Sequence, residues 1–112
     1  MSSWDSGWTA KEKVKVGGRK VSFVYQAIYD TPNYVGLNAL LVGRDIEDPV
    51  VLDSASAESS RIDARSMGND DVYGLLRKKL KKLDRYIRDG LTEAQLARIA
   101  AKQGVSVPTT ET

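Results

Sequence analysis

Polar and apolar residues alternate along 11–16 (Lys-Glu-Lys-Val-Lys-Val), the period of a strand with one wet face. Gly17-Gly18 follows, and two glycines supply the positive φ that a two-residue hairpin turn needs. Residues 19–29 are rich in β-branched and aromatic side chains, so 11–29 reads as a β-hairpin. The short turn sets the register: Val16 opposite Arg19, Lys15 opposite Lys20, Val14 opposite Val21 and Lys13 opposite Ser22. Opposite residues share a face. One face then gathers Val14, Val16, Val21, Phe23, Tyr25, Ala27 and Tyr29, interrupted by Arg19 and Glu12. The other carries Lys11, Lys13, Lys15, Lys20, Ser22, Val24 and Gln26 and reads as wet and basic.

Thr31-Pro32-Asn33-Tyr34 has turn chemistry, and the apolar run 35–43 predicts a central strand. Gly36 and Gly43 within that run suggest bulges or a close approach. A charged turn over 44–48 ends at Pro49, and Val50-Val51-Leu52 predicts a short fourth strand. Residues 53–69 show no clear period and read as a long Ser/Ala-rich acidic loop, with room for a helical turn near 55–65. From 70 to 89, Val72, Leu75, Leu76, Leu80, Leu83, Tyr86 and Ile87 recur at helical spacing. Asn69 or Asp70 caps this predicted helix and Gly90 ends it. Lys79 falls inside the apolar arc, where its stem can lie on the sheet while its amine reaches water. Thr92-Glu93-Ala94-Gln95 fits a capping box and opens a second helix over 92–103, with a stripe of Leu96, Ile99 and Ala100.

The expected fold is α+β: an antiparallel sheet of about four strands (hairpin 11–29, strands 35–43 and 50–52). A long amphipathic helix, 70–89, packs on one face, and a short helix, 92–103, follows. The expected core is Val14, Val21, Phe23, Tyr25, Leu37, Leu41, Leu76, Leu80, Leu83 and Ile87. Residues 11–104 form the domain, 1–10 an irregular arm whose tryptophans pack at the core edge, and 105–112 a tail.

Composition narrows the chemistry. The chain of 112 residues has no Cys and no His, which removes disulfides, most zinc sites, Ser-His-Asp triads and Cys-His dyads. The carboxylates Asp45, Glu47 and Asp48 lie in a turn, and Asp70 and Asp71 begin a helix, where acids solvate and cap. Gly17-Gly18 is a turn, not a phosphate loop. No catalytic residue, metal site or cofactor is expected, and the chain reads as a non-enzyme. It has no apolar run of roughly 20 residues and no signal-peptide pattern, so a cytoplasmic protein without a membrane partner is expected.

The net charge of +2 conceals blocks: +2 over 1–43, −5 over 44–74, +5 over 75–90 and 0 over 91–112. Such asymmetry points to an interaction surface, or to blocks that face one another or stay solvated. The acidic stretch over the basic helix is one arrangement to test. The main expected site is the helix face Arg77, Lys78, Lys81, Lys82, Arg85 and Arg88, which suits nucleic-acid phosphates. Lys11, Lys13, Lys15, Arg19 and Lys20 of the hairpin form a second site. If the helix covers the hairpin's apolar face, these two sites lie on opposite sides. Trp4, Trp8, Tyr34 and Tyr73 are the aromatics left for base stacking.

Leu96 to Ser106 resembles the first helix and turn of a helix-turn-helix, but the six residues after it include Pro108 and are too few for a recognition helix. A four-strand sheet followed by one long helix is similar in topology to single-strand-binding coactivator domains that dimerise through that helix. The alternative function is a protein–protein module: an inhibitor, adaptor or assembly subunit, a profile shared by small phage- and plasmid-encoded proteins. Its apolar anchors would be Trp4, Trp8 and Tyr34, and a second copy of the chain is a further candidate partner.

Overall fold

The computed structural model describes residues 8–42 and 49–105. Four strands, β1 (Trp8–Val16), β2 (Arg19–Tyr29), β3 (Tyr34–Leu41) and β4 (Val50–Glu58), form one antiparallel sheet in the order β1-β2-β3-β4. The predicted hairpin register is the observed one, from Val16–Arg19 to Lys13–Ser22. Gly17 and Gly18 make the turn at φ 59° and 84°. Below Lys13 the register shifts, and pairing resumes at Thr9–Val24 and Trp8–Tyr25. Three residues, 10–12, thus span a stretch where β2 supplies only Phe23, a bulge that keeps even-numbered β1 residues on one face. The strand starts at Trp8, so the last three residues of the expected arm belong to the sheet.

β4 corrects the expected loop 53–69. Its first six residues continue the strand to Glu58, with Asp53, Ala55 and Ala57 opposite Ala39, Leu37 and Val35. A register shift at Ala39/Leu40 leaves Leu52 as the extra residue. The period of two is present in Ser-Ala-Ser-Ala, but Ala and Ser differ too little in polarity to announce it. The helical turn expected near 55–65 forms only at the end of that range, as a 3₁₀ turn over Ala64–Ser66, with Asp63 accepting from the Arg65 N–H. The intervening chain is fastened to the β2–β3 turn, where the Ser59 N–H donates to Asn33 O and the Ala64 N–H to Pro32 O. Residues 59–64 are thus held at the β2–β3 turn, while Asp53 of the same acidic stretch meets α2 at the Leu83 N–H.

The expected helix 70–89 is divided. α1 (Asn69–Leu76) leads into a 3₁₀ turn (Arg77–Lys79), and α2 (Lys81–Asp89) restarts after Leu80, whose φ of −83° and ψ of 73° break the α-helical ladder. The Asp71 carboxylate caps α1 by accepting the Gly68 N–H at 2.9 Å. Like charges three and four apart among Lys78, Lys79, Lys81 and Lys82 weaken a continuous helix here. The restarted helix is capped from across the core: Asp53 of β4 accepts the Leu83 N–H at 2.9 Å. α1 then lies over β2, β3 and β4, while α2 turns onto β1 and β4.

α3 (Glu93–Lys102) follows a bridge in which Leu91 pairs with Val16 at the free edge of β1. Its Thr92–Gln95 capping box is as predicted. At its far end the Gln103 side chain brackets Val51, accepting its N–H at 2.8 Å and donating to its carbonyl at 2.7 Å. Val105 packs partly against the core, so the expected tail is held at its first residue.

All three helices lie on the face of β3 that carries Val35, Leu37, Ala39 and Leu41. Val14, Phe23, Tyr25, Leu76, Leu80 and Leu83 are buried in this core as expected, and Val21 and Ile87 are half-buried at its rim. The opposite sheet face is less wet than its sequence suggests. The lysines are exposed, but Gln26 and Leu40 are buried there, in rows with Asn38 and with Val24 and Val51. Among the described residues, no helix is long and apolar enough to cross a membrane.

Candidate nucleic-acid interface

Arg77 heads the expected basic face, yet it turns inward. Glu12 projects from the bulged part of β1 onto the helix side of the sheet, where it interrupts an apolar face. Its carboxylate accepts from the Tyr25 hydroxyl at 2.6 Å and from Arg77 Nη2 at 2.9 Å. Arg77 Nη1 donates to Asp84 of α2 at 2.9 Å, and only 15 % of the Arg77 side chain is exposed. Burial pushes the Glu12 carboxyl up, but bonds from Arg77 and Tyr25 outweigh it and hold the group below its ordinary value. Burial and the bond to Glu12 both raise the Tyr25 phenol. Burial opposes the Arg77 charge, and the bonds to Glu12 and Asp84 more than restore it. Arg77 is thus a structural ion-pair residue spanning β1 and α2.

The break in the helix changes which cations share a surface. Lys78 and Lys79 lie exposed on the 3₁₀ turn, and Lys81, Lys82 and Arg85 lie exposed on α2. Lys79 does not lie on the sheet as the unbroken wheel placed it. Arg88 is exposed but bonded to Asp89 at 3.1 Å. Bonding to Asp89 holds the Arg88 charge more firmly, and the bond from Arg88 lowers the Asp89 carboxyl. The two acids of α2 are therefore each answered by an arginine, Asp84 by Arg77 and Asp89 by Arg88. Among the described residues, Lys78, Lys79, Lys81, Lys82 and Arg85 have no carboxylate partner.

Two further cations join them. Arg98 and Lys102, one turn apart on α3, line a groove of about 330 Å³ together with Arg85, Tyr86 and Asp89. Composition counted these α3 cations against Glu93 and Glu111 in a neutral block, which hid them. Only packing α3 beside α2 brings them to the site.

The second expected site lies apart. Lys13 and Lys15 pair across the ladder with Ser22 and Lys20 on the sheet face opposite the helices. Lys11 is exposed in the bulge and Arg19 is exposed at the turn. Lys15 alone of these comes near α2, lining a groove with Asp89 and Gly90 at the helix end. Of the expected aromatic contacts, Trp8 is half-buried against Tyr25, with ring centroids 5.9 Å apart. Tyr34 is half-buried beside Gly36 on the outer sheet face, Tyr73 packs edge-on to Tyr25, and Trp4 lies outside the described residues. The aromatic that does border the free cations is Tyr86. No protein family, no curated protein and no solved structure matches the chain.

Proposed function

We propose that the protein is a non-enzymatic binding protein that engages the phosphate backbone of nucleic acid through the cations of the α2 region. One observation carries this reading: Lys78, Lys79, Lys81, Lys82 and Arg85 are exposed together, while the acids among them are held by Arg77 and Arg88. Unpaired surface cations displace counterions from a polyanion, and cations already in ion pairs contribute little. Arg77 is therefore a positioning residue for α2 rather than a phosphate ligand, and the charge of Arg88 is offset in part by its neighbour Asp89. The hairpin lysines are an accessory surface for longer ligands that wrap the domain.

The test is fluorescence anisotropy with labelled oligonucleotides at several salt concentrations. Each lost phosphate contact lowers the slope of log affinity against log salt by about 0.7 for a single strand. Changing Lys78, Lys81 and Lys82 together to Glu should reduce that slope by at least about 2 and abolish binding at moderate salt. These positions are exposed, so the fold should persist by circular dichroism. Unchanged binding by the triple variant removes α2 as the site.

A protein–protein reading has one observation in its favour. Tyr29 is 42 % exposed and borders a groove of about 660 Å³ with Pro32 and Met67, at the opposite end of the sheet from Leu91. An exposed aromatic on an apolar groove is the usual anchor of such a contact.

A further inference from the structure

Resting on the backbone-binding reading, we infer that the groove between α2 and α3 seats one nucleotide of a single strand. The base lies against Tyr86 and the phosphate against Arg98 and Lys102. Two features of the fold form this groove. Gly90 ends α2 at φ 81°, and a Cβ there would meet the Lys15 carbonyl at 3.3 Å. That tight turn delivers Leu91 to the edge of β1, with the Leu91 N–H donating to Lys15 O at 2.8 Å and the Gly17 N–H to Leu91 O at 2.9 Å. α3 therefore begins close beside the end of α2, and the two helices flank a cleft.

The cleft is chemically two-sided. Tyr86 of α2 and Ile99 of α3, both half-buried, give it an apolar part. Arg85, Arg98 and Lys102, all exposed, surround this with positive charge from two different helices. Asp89 is the one acid in the lining, and Arg88 holds it. A bare anion needs only the cations; an aromatic and an aliphatic wall beside them suit a flat ring attached to a phosphate. Every base has a face that can stack on Tyr86, so the contact is tolerant of sequence. In a duplex those faces are already stacked on neighbouring pairs. The cleft thus favours single strands, which the lysines of α2 alone would not.

The experiment compares labelled oligothymidylate, an abasic strand of the same length and a duplex of the same length, at one salt concentration. Wild type should bind oligothymidylate several-fold more tightly than either competitor. Tyr86→Leu should lose about tenfold on oligothymidylate, change little on the abasic strand and leave the salt slope unaltered. Tyr86→Phe, which keeps the ring and the packing, should retain the preference. Arg98→Glu with Lys102→Glu should weaken both single strands and flatten their salt dependence. Equal affinity of wild type for thymidylate and abasic strands overturns the stacking site and leaves backbone binding standing. Loss of the preference in Tyr86→Phe as well as Tyr86→Leu also counts against stacking. Failure of all three ligands to bind at low salt overturns the backbone reading itself, and the nucleotide site with it.

Discussion

Removing the Glu12 carboxylate tests whether the β1–α2 link is as strong as its geometry implies. Three groups depend on it. The Tyr25 hydroxyl, on a residue only 2 % exposed, loses its acceptor at 2.6 Å. A buried hydrogen bond to a charged acceptor contributes about 1.5 kcal/mol or more. Arg77 loses one of its two carboxylates and keeps Asp84. Because the Glu12 side chain is 38 % exposed, solvent screens that pair, and its share is held to about 1 kcal/mol. Glu12→Ala should therefore cost about 2–3 kcal/mol in urea unfolding, with the m-value unchanged. Glu12→Gln keeps an acceptor for the phenol and should cost about half as much. The sharper reading comes from a cycle with Tyr25→Phe. That change should cost about 1.5 kcal/mol in wild type and close to nothing once Glu12 is Ala, because the bond is already gone. The folded Glu12 carboxyl sits below its ordinary value, so its contribution is full above the unfolded carboxyl value of about 4.3. It fades as the pH falls through the lower, folded value, and Glu12→Gln should remove that part of the acid sensitivity. A Tyr25→Phe cost that is the same in both backgrounds would refute the reasoning.

Two other contacts make separate predictions. Asp53→Ala removes the cap on the Leu83 N–H and should cost about 1 kcal/mol, whereas Asp53→Asn, which keeps an oxygen acceptor, should cost a few tenths; urea titration followed by circular dichroism separates them. Gln103→Ala frees both backbone groups of Val51, so the Val51 amide should exchange with deuterium at least about tenfold faster, while amides in the middle of β2 keep their protection. Unchanged exchange at Val51 would mean that α3 does not guard the edge of β4.

What was legible in the chain was local. The register from Val16–Arg19 to Lys13–Ser22 follows from two adjacent glycines and strict alternation, and nothing distant disturbs it. The capping box of α3 is likewise contained in four residues. The helix break was not legible, because Leu76, Leu80 and Leu83 are all fully buried and their spacing suits an unbroken helix equally well. The clustered lysines weaken a continuous helix without placing a break, and the contacts that favour it lie elsewhere in the chain: Asp53, 30 residues away, caps the restarted helix, and Glu12, 65 residues away, draws Arg77 inward. One signal for the second was available. A glutamate on the apolar side of a strand requires a cation or a proton, and Arg77 is the cation that reaches it.

The same sorting governs the candidate site. A charge count over 75–90 gives +5 and treats every cation alike. In the fold the arginines and lysines take different work. Arg77 and Arg88, whose planar forks suit a carboxylate, are spent on Asp84, Asp89 and Glu12. The lysines, compact charges on flexible stems, stay in solvent. This division has a consequence for specificity. Lysines grip a phosphate backbone without reading it, so these lysines alone would bind any polyanion. Discrimination has to come from where arginine is left unpaired beside an aromatic, and Arg85 and Arg98 with Tyr86 meet that condition in the α2–α3 cleft. Affinity and selectivity are therefore expected to be separable by mutation, the first residing in the lysines of the 3₁₀ turn and α2 and the second in the ring of Tyr86.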